Sequence, residues 1–190
     1  RNLVLDNGHV FIQSYEDDTH DIVTKLQAHA ASGISGYTAA VEQWLGTTAH
    51  TVDDTAKRAA LTRLFAQSRV ALVYGAAGTG KTRMVDHIAN YFGGNQKLFL
   101  ANTHPAVENL RRRVSAPEST FRTIASHKHN PTGDFDLLVI DEAGMLDQDT
   151  ALALLTVADE HGATLALVGD RAQLPAVGRG GVLDMAAQLA

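Results

Sequence analysis

The chain has 190 residues, 45% of them hydrophobic and 19% charged, the make-up of a folded globular domain, which excludes a disordered polar tail. It contains no cysteine, so disulfides and thiolate metal sites are excluded, and a reducing, cytoplasmic location is expected. A net charge of -5 argues against wrapping duplex DNA by charge alone but leaves single-strand binding through a local patch open.

No signal peptide and no apolar run long enough to cross a bilayer can be read, so no membrane partner is expected. The chain opens on Arg1 and closes on Ala190, and a piece of a longer protein is the expectation. Its length fits one ordinary domain with a small appendage. Residues 1–48 read as that appendage. Two apolar runs flank Asn7-Gly8, a dipeptide that favours a tight hairpin turn. A helical pattern follows, with Ile22, Val23, Leu26 and Ala30 on one face, broken by Gly33 and Gly36. A second short helix carries Val41, Trp44 and Leu45. Both are expected to pack on the core.

Residues 49–190 read as the main domain. A helix is expected over 51–67, capped by Thr51 or Asp53, with Ala56, Ala59, Ala60, Leu64 and Phe65 as its apolar face. Short apolar strands then alternate with helices. The strands are Val70–Tyr74, Lys97–Ala101, Leu137–Ile140 and Thr164–Val168, and the helices lie near 81–92, 105–114 and 148–161. Near-continuous apolar strands alternating with helices indicate an α/β fold, a parallel sheet covered on both faces.

Gly75-Ala76-Ala77-Gly78-Thr79-Gly80-Lys81-Thr82 matches the phosphate-loop pattern completely, between an expected strand and an expected helix. Glycines let successive N–H groups turn inward as an anion nest, and the helix N-terminus adds its dipole. Lys81 would reach the β- and γ-phosphates of ATP, and the Thr82 hydroxyl would hold Mg²⁺. The alternative is a chance glycine-rich turn.

The strand Leu137–Ile140 runs straight into Asp141 and Glu142. Ligands of parallel sheets sit beyond the carboxyl ends of strands. Asp141 is therefore expected on Mg²⁺, directly or through water, and Glu142 as the base that polarises the attacking water. An acidic helix cap is the alternative, although Asp147 or Asp149 could supply one. The next strand ends in Gly169-Asp170-Arg171-Ala172-Gln173, which places an acid, Asp170, and an amide, Gln173, at the same edge. Such an amide can sense a γ-phosphate. An ordinary loop is equally compatible with those residues taken alone.

Together GAAGTGKT, VIDEAGM and LVGDRAQLPAVG resemble a superfamily 1 DNA helicase of the RecD-like branch, which includes the helicase halves of conjugative relaxases. The resemblance covers about residues 50–190. It implies the first of two RecA-like P-loop NTPase domains, preceded by a small, mostly helical accessory segment, with ATP and Mg²⁺ as ligands and single-stranded DNA as partner. It implies that Gln173 contacts the γ-phosphate and couples it to DNA. It places Asn102, Thr103 and His104 in a stretch that grips single-stranded DNA, and Thr123 in a further DNA-contacting segment. Two departures stand out. Family members usually carry a glutamine ahead of the phosphate loop that reads adenine, and Lys57 aligns there. The second RecA-like domain, with its arginine finger, lies beyond this sequence. The chain is thus expected to bind nucleotide, hydrolyse it slowly and not unwind DNA. An RNA-directed ATPase and a nucleotide-dependent binding module without motor activity are the alternatives.

Other residues read as structural. Arg111-Arg112-Arg113 suit a solvated helix C-terminus or a DNA phosphate contact. His127 and His129 lack a third ligand for a metal. Trp44 reads as a packing anchor, Tyr74 as sheet core, and Pro105 as a first-turn residue. Arg179 with its neighbouring glycines reads as a loop.

Overall fold

The computed structural model describes residues 3–6, 9–76, 78–131 and 133–170, with side chains from Asp18 onward. Strands β1 (Leu3–Asp6) and β2 (His9–Ile12) pair antiparallel, with Leu3 opposite Ile12. This is the expected hairpin, although its Asn7-Gly8 turn lies outside the described residues. Helices α1 (Gln13–Ala30), α2 (Tyr37–Thr47) and α3 (Thr55–Leu61) follow.

The rest is one parallel sheet of β3 (Val70–Tyr74), β4 (Lys97–Ala101), β5 (Ser119–Thr123), β6 (Leu137–Ile140) and β7 (Thr164–Gly169). Its order is β3-β7-β6-β4-β5. Four of these strands are the expected ones. The fifth, β5, is an edge strand of sequence Ser-Thr-Phe-Arg-Thr. Its polar residues leave it without the apolar run that marks the others, including β3 at the opposite edge.

Helices α4 (Lys81–Tyr91), α5 (His104–Arg113), α6 (Ile124–His129) and α7 (Gln148–Glu160) link the strands. Strand side chains alternate between the two faces. Phe99, Ala101, Leu137, Val139, Ala166 and Val168 pack with α4, α5 and the Tyr37 and Val41 side of α2. Leu98, Leu100, Leu138, Ile140, Leu165 and Leu167 pack with α7 and with Ile22 and Leu26 of α1. The chain steps outward from β3 through β4 to β5, then back through β6 to β7. Right-handed crossovers place helices on opposite faces when the direction reverses. Hence α4 and α5 cover one face and α7 the other.

The appendage is divided between both faces. On α1, Lys25 and His29 lie 3.6 and 3.5 Å from the Asp159 carboxylate of α7, and Thr19 accepts from Gln148 Nε2 at 2.8 Å.

Two expectations are corrected. The helix expected over 51–67 spans only Thr55–Leu61, and its cap is Asp54, which accepts from Ala56 and Lys57 N–H at 2.8 and 3.1 Å. Ala56, Ala59 and Ala60 are exposed, while Leu61 and Phe65 are fully buried. Alanines gain little from burial, so a turn after Leu61 that delivers both large side chains to the core wins over a longer helix. Tyr74 is 55% exposed rather than sheet core, because it ends the edge strand β3.

Two structural devices carried no sequence signal. Lys97 is buried, and its ammonium donates to the carbonyls of Phe92, Gly93 and Asn95 at 2.8, 3.3 and 2.6 Å. It thereby closes the turn after α4. Gly33 lies against the backbone after Phe65, where Ile34 N–H donates to Phe65 O at 2.8 Å. A Cβ on Gly33 would stand 2.2 Å from Ala66 O. Gly33→Ala is therefore expected to cost about 1–3 kcal/mol of stability in urea unfolding, the usual range for overpacking. An unchanged midpoint would refute this close approach.

Candidate nucleotide site

All five strands run the same way, so their carboxyl ends share one edge. Along it stand, in order, the phosphate loop after β3, Asp170 after β7, Asp141 and Glu142 after β6, Asn102 to His104 after β4, and Thr123 ending β5. With α4 on one face and α7 on the other, this edge is the usual ligand position of open α/β sheets.

The loop is pinned at its start, where Gly75 N–H donates to Gly169 O at 3.3 Å. Gly78 and Gly80 hold φ of 80° and 87°, values that side-chain-bearing residues rarely adopt. Gly80 is also the N-cap of α4 and supplies no side-chain cap. The amides of the first turn thus point toward the loop, as an anion site requires. The Lys81 ammonium arches back over the loop and donates to Gly75 O and Ala76 O at 2.5 and 3.0 Å. Thr79 Oγ1 donates to Ala76 O at 2.9 Å. Thr82 is half-buried in the first turn of α4. Ala77 lies outside the described residues.

Asp141 and Glu142 are both half-buried. Asp141 Oδ1 accepts from Glu142 N–H at 3.0 Å. Burial pushes the Asp141 carboxyl above its ordinary range, opposed by that hydrogen bond and by the Lys81 charge. Burial also raises Glu142, and the Asp141 charge adds to the effect. Glu142 holds a φ of 56°, a strained value for a residue with a side chain. Two adjacent carboxylates that resist ionisation, one of them under the influence of Lys81, suit a hard divalent cation. With the Thr82 hydroxyl they would offer the oxygen donors that Mg²⁺ takes.

The remaining expected residues are placed as follows. Asp170 is half-buried at the end of β7. Asn102 is half-buried, and its Nδ2 is buried with no hydrogen-bond partner among the described residues. Thr103 caps α5 by accepting from Ala106 N–H at 3.3 Å, and His104 is exposed. Thr123 is 7% exposed, and its hydroxyl is engaged in capping α6 at Ser126 N–H. Gln173 and the Arg179 loop lie outside the described residues. Lys57 reaches the phosphate loop: its ammonium is 3.6 Å from Asp54 Oδ2 and 3.1 Å from where a Cβ on Gly80 would be. The arginine run at the end of α5 is exposed, with Arg111 paired to Glu108 at 2.7 Å. Trp44 packs edge-on to Tyr91, as an anchor should.

A loop with two left-handed glycines running into a helix N-terminus, a lysine arched over it and two carboxylates on the same sheet edge define a P-loop nucleotide-binding fold. More particularly, residues 54–190 match the AAA domain family model, and the chain belongs to that family. Over 132 residues, 64% of the chain, it is 33% identical to the ATP-dependent RecD2 DNA helicase of Deinococcus radiodurans. That match takes in 18% of the relative's own length. The UvsW helicase structure from bacteriophage T4 superposes with a TM-score of 0.60 at 10% identity, covering 96% of this chain and 78% of that one. This last is a likeness of fold. The family model and the RecD2 match bear out the RecD-like resemblance drawn from the three motifs. Among the described residues no helix is long and apolar enough to cross a membrane.

The raised Asp141 carboxyl has a consequence for stability. A carboxyl raised in the folded state weakens folding above the ordinary value of about 3.9 and costs nothing below it. Asp141→Asn is therefore expected to raise the melting temperature near neutral pH in magnesium-free buffer. The gain should fade as the pH falls through the window between the two values. A neutral-pH melting temperature unchanged or lowered would contradict the burial argument.

Proposed function

We propose that the chain is the ATP-binding and ATP-hydrolysing motor domain of a superfamily 1 DNA helicase, one that couples hydrolysis to movement along single-stranded DNA in the cytoplasm. The observation that carries this reading is the shared sheet edge. It sets the phosphate loop, Asp141 and Glu142 in one row with Asn102, Thr103 and His104. A change at the nucleotide can thus reach the strand ends expected to meet DNA through a single rigid sheet.

In this reading the loop amides and Lys81 bind the phosphates of ATP, and Thr82 and Asp141 hold Mg²⁺. When bound, the metal offsets negative charge on the phosphates. Glu142, raised by its surroundings, orients a water and takes its proton as the water's oxygen bonds to the γ-phosphorus and the bond to ADP breaks. Asp170 lies at the same edge, and Gln173 reports the γ-phosphate. A second RecA-like domain completes the site with an arginine finger, worth orders of magnitude in rate for this chemistry. These 190 residues therefore bind nucleotide, hydrolyse it slowly and do not unwind a duplex.

Glu142→Gln is expected to leave nucleotide affinity intact while slowing hydrolysis about 10²–10⁴-fold, the contribution of a positioned base. Hydrolysis at the wild-type rate would remove Glu142 from that role. Stimulation of hydrolysis by single-stranded DNA over RNA of the same sequence supports the DNA reading, and the reverse preference favours an RNA-directed ATPase. Strand separation by the isolated chain would overturn the two-domain account.

A further inference from the structure

One cluster of metal-binding side chains lies apart from the nucleotide site. His50 stands on the connection between α2 and α3, and Asp86 and His87 stand in the second turn of α4. His50 Nε2 and His87 Nδ1 are 2.8 Å apart. The ligand atoms of all three residues lie within 4.8 Å of one another. His87 is fully buried and Asp86 is 3% exposed. We infer that His50, Asp86 and His87 form a binding site for one divalent transition metal of the zinc class, clamping the segment ahead of α3 to the phosphate-loop helix.

The surroundings are those of a metal site. Asp86 Oδ1 accepts from Ser115 N–H at 2.9 Å, Ser115 Oγ at 3.1 Å and Asn90 Nδ2 at 3.0 Å. Three donors on one oxygen fix the carboxylate and leave Oδ2 as the ligand atom, the outer-shell support that ligating carboxylates receive. The His50 ring is held by stacking on Trp44 at 6.0 Å, and its backbone by Thr48 Oγ1, which accepts from His50 N–H at 3.0 Å. His50 is half-buried, which gives an entry path from solvent.

A simple imidazole–imidazole hydrogen bond accounts for less. It gives no part to the Asp86 carboxylate, whose ligand atom lies within 4.8 Å of those of both rings. Zinc holds nitrogen ligands at about 2.0–2.1 Å in a tetrahedron, which sets them about 3.3 Å apart. The rings need to part by about half an ångström, and the carboxylate to close in, for the set to be complete. Two imidazoles with one carboxylate suit zinc, whereas Mg²⁺ prefers oxygen alone. The site is thus chemically distinct from the one at Asp141. Three protein ligands leave a fourth position for water.

The test is a Zn²⁺ titration of the metal-free chain against a chromophoric chelator, in excess Mg²⁺ and ADP, repeated with His50→Ala and Asp86→Asn. Circular dichroism checks that each variant is folded; His50→Ala removes no fully buried side chain. One equivalent of Zn²⁺ is expected to bind the wild type, with affinity falling about 10–100-fold in each folded variant. Co²⁺ in place of Zn²⁺ is expected to give the visible absorption of a tetrahedral site, lost in His50→Ala. Failure of the folded wild type to compete for Zn²⁺ overturns the proposal. So does undiminished uptake by His50→Ala, which would assign the binding to other histidines among the nine.

Discussion

The Gly75 amide donates to the Gly169 carbonyl at the end of the β3–β7 ladder, and most of the site's geometry depends on that pairing. It fixes where the phosphate loop leaves the sheet. β7 in turn pairs with β6, Leu138 opposite Leu165, so Asp141 and Glu142 emerge two strands from the loop on the same edge. No side chain of the loop is needed to set this distance, because backbone ladders keep strands about 4.8 Å apart. The loop's own residues are then free to be glycines, and Gly78 and Gly80 use that freedom in their positive φ angles.

The helix that follows the loop needs equal support, because Lys81 and Thr82 ride on its first turn. α4 packs on the sheet through Met84, Val85, Ile88 and Ala89. Its far end is held by aromatic contacts: Tyr37 against Phe65 and Tyr91, Trp44 against Tyr91, and Phe65 against Phe92. Edge-to-face pairs of this kind contribute roughly 0.5–1.5 kcal/mol each beyond their burial. Tyr37 and Trp44 belong to α2, so the segment ahead of the main domain helps to fix the phosphate-loop helix. On the opposite face α1 packs on α7, the helix that follows the two carboxylates. The first helices therefore support both elements that carry the chemistry.

Much of this was legible in the sequence, and the reasons differ by element. β4, β6 and β7 are buried on both faces, so hydrophobic continuity alone marks them. β5, with one aromatic residue among polar ones, carries no such run. The helix at Thr55–Leu61 is shorter than its sequence pattern because an alanine stripe satisfies helical periodicity without having to be buried. The phosphate loop and the Asp141–Glu142 pair were legible because their residues are contiguous and sit at a strand end. The His50–His87 contact spans 37 residues, and the carbonyl cradle around Lys97 depends on a turn. No local pattern encodes either. Thr123 shows the converse limit: its hydroxyl is engaged by a helix cap, which its sequence neighbours do not reveal.

The central claim is that the loop at Gly75–Thr82 is a formed nucleotide site with Lys81 as its main cation. A titration of the folded chain with fluorescent ADP in Mg²⁺ buffer, beside Lys81→Ala, tests it most directly. The account predicts saturable binding by the wild type and at least a tenfold loss of affinity in the variant, about 1.4 kcal/mol. Equal binding by both proteins, or none by a folded wild type, would contradict it.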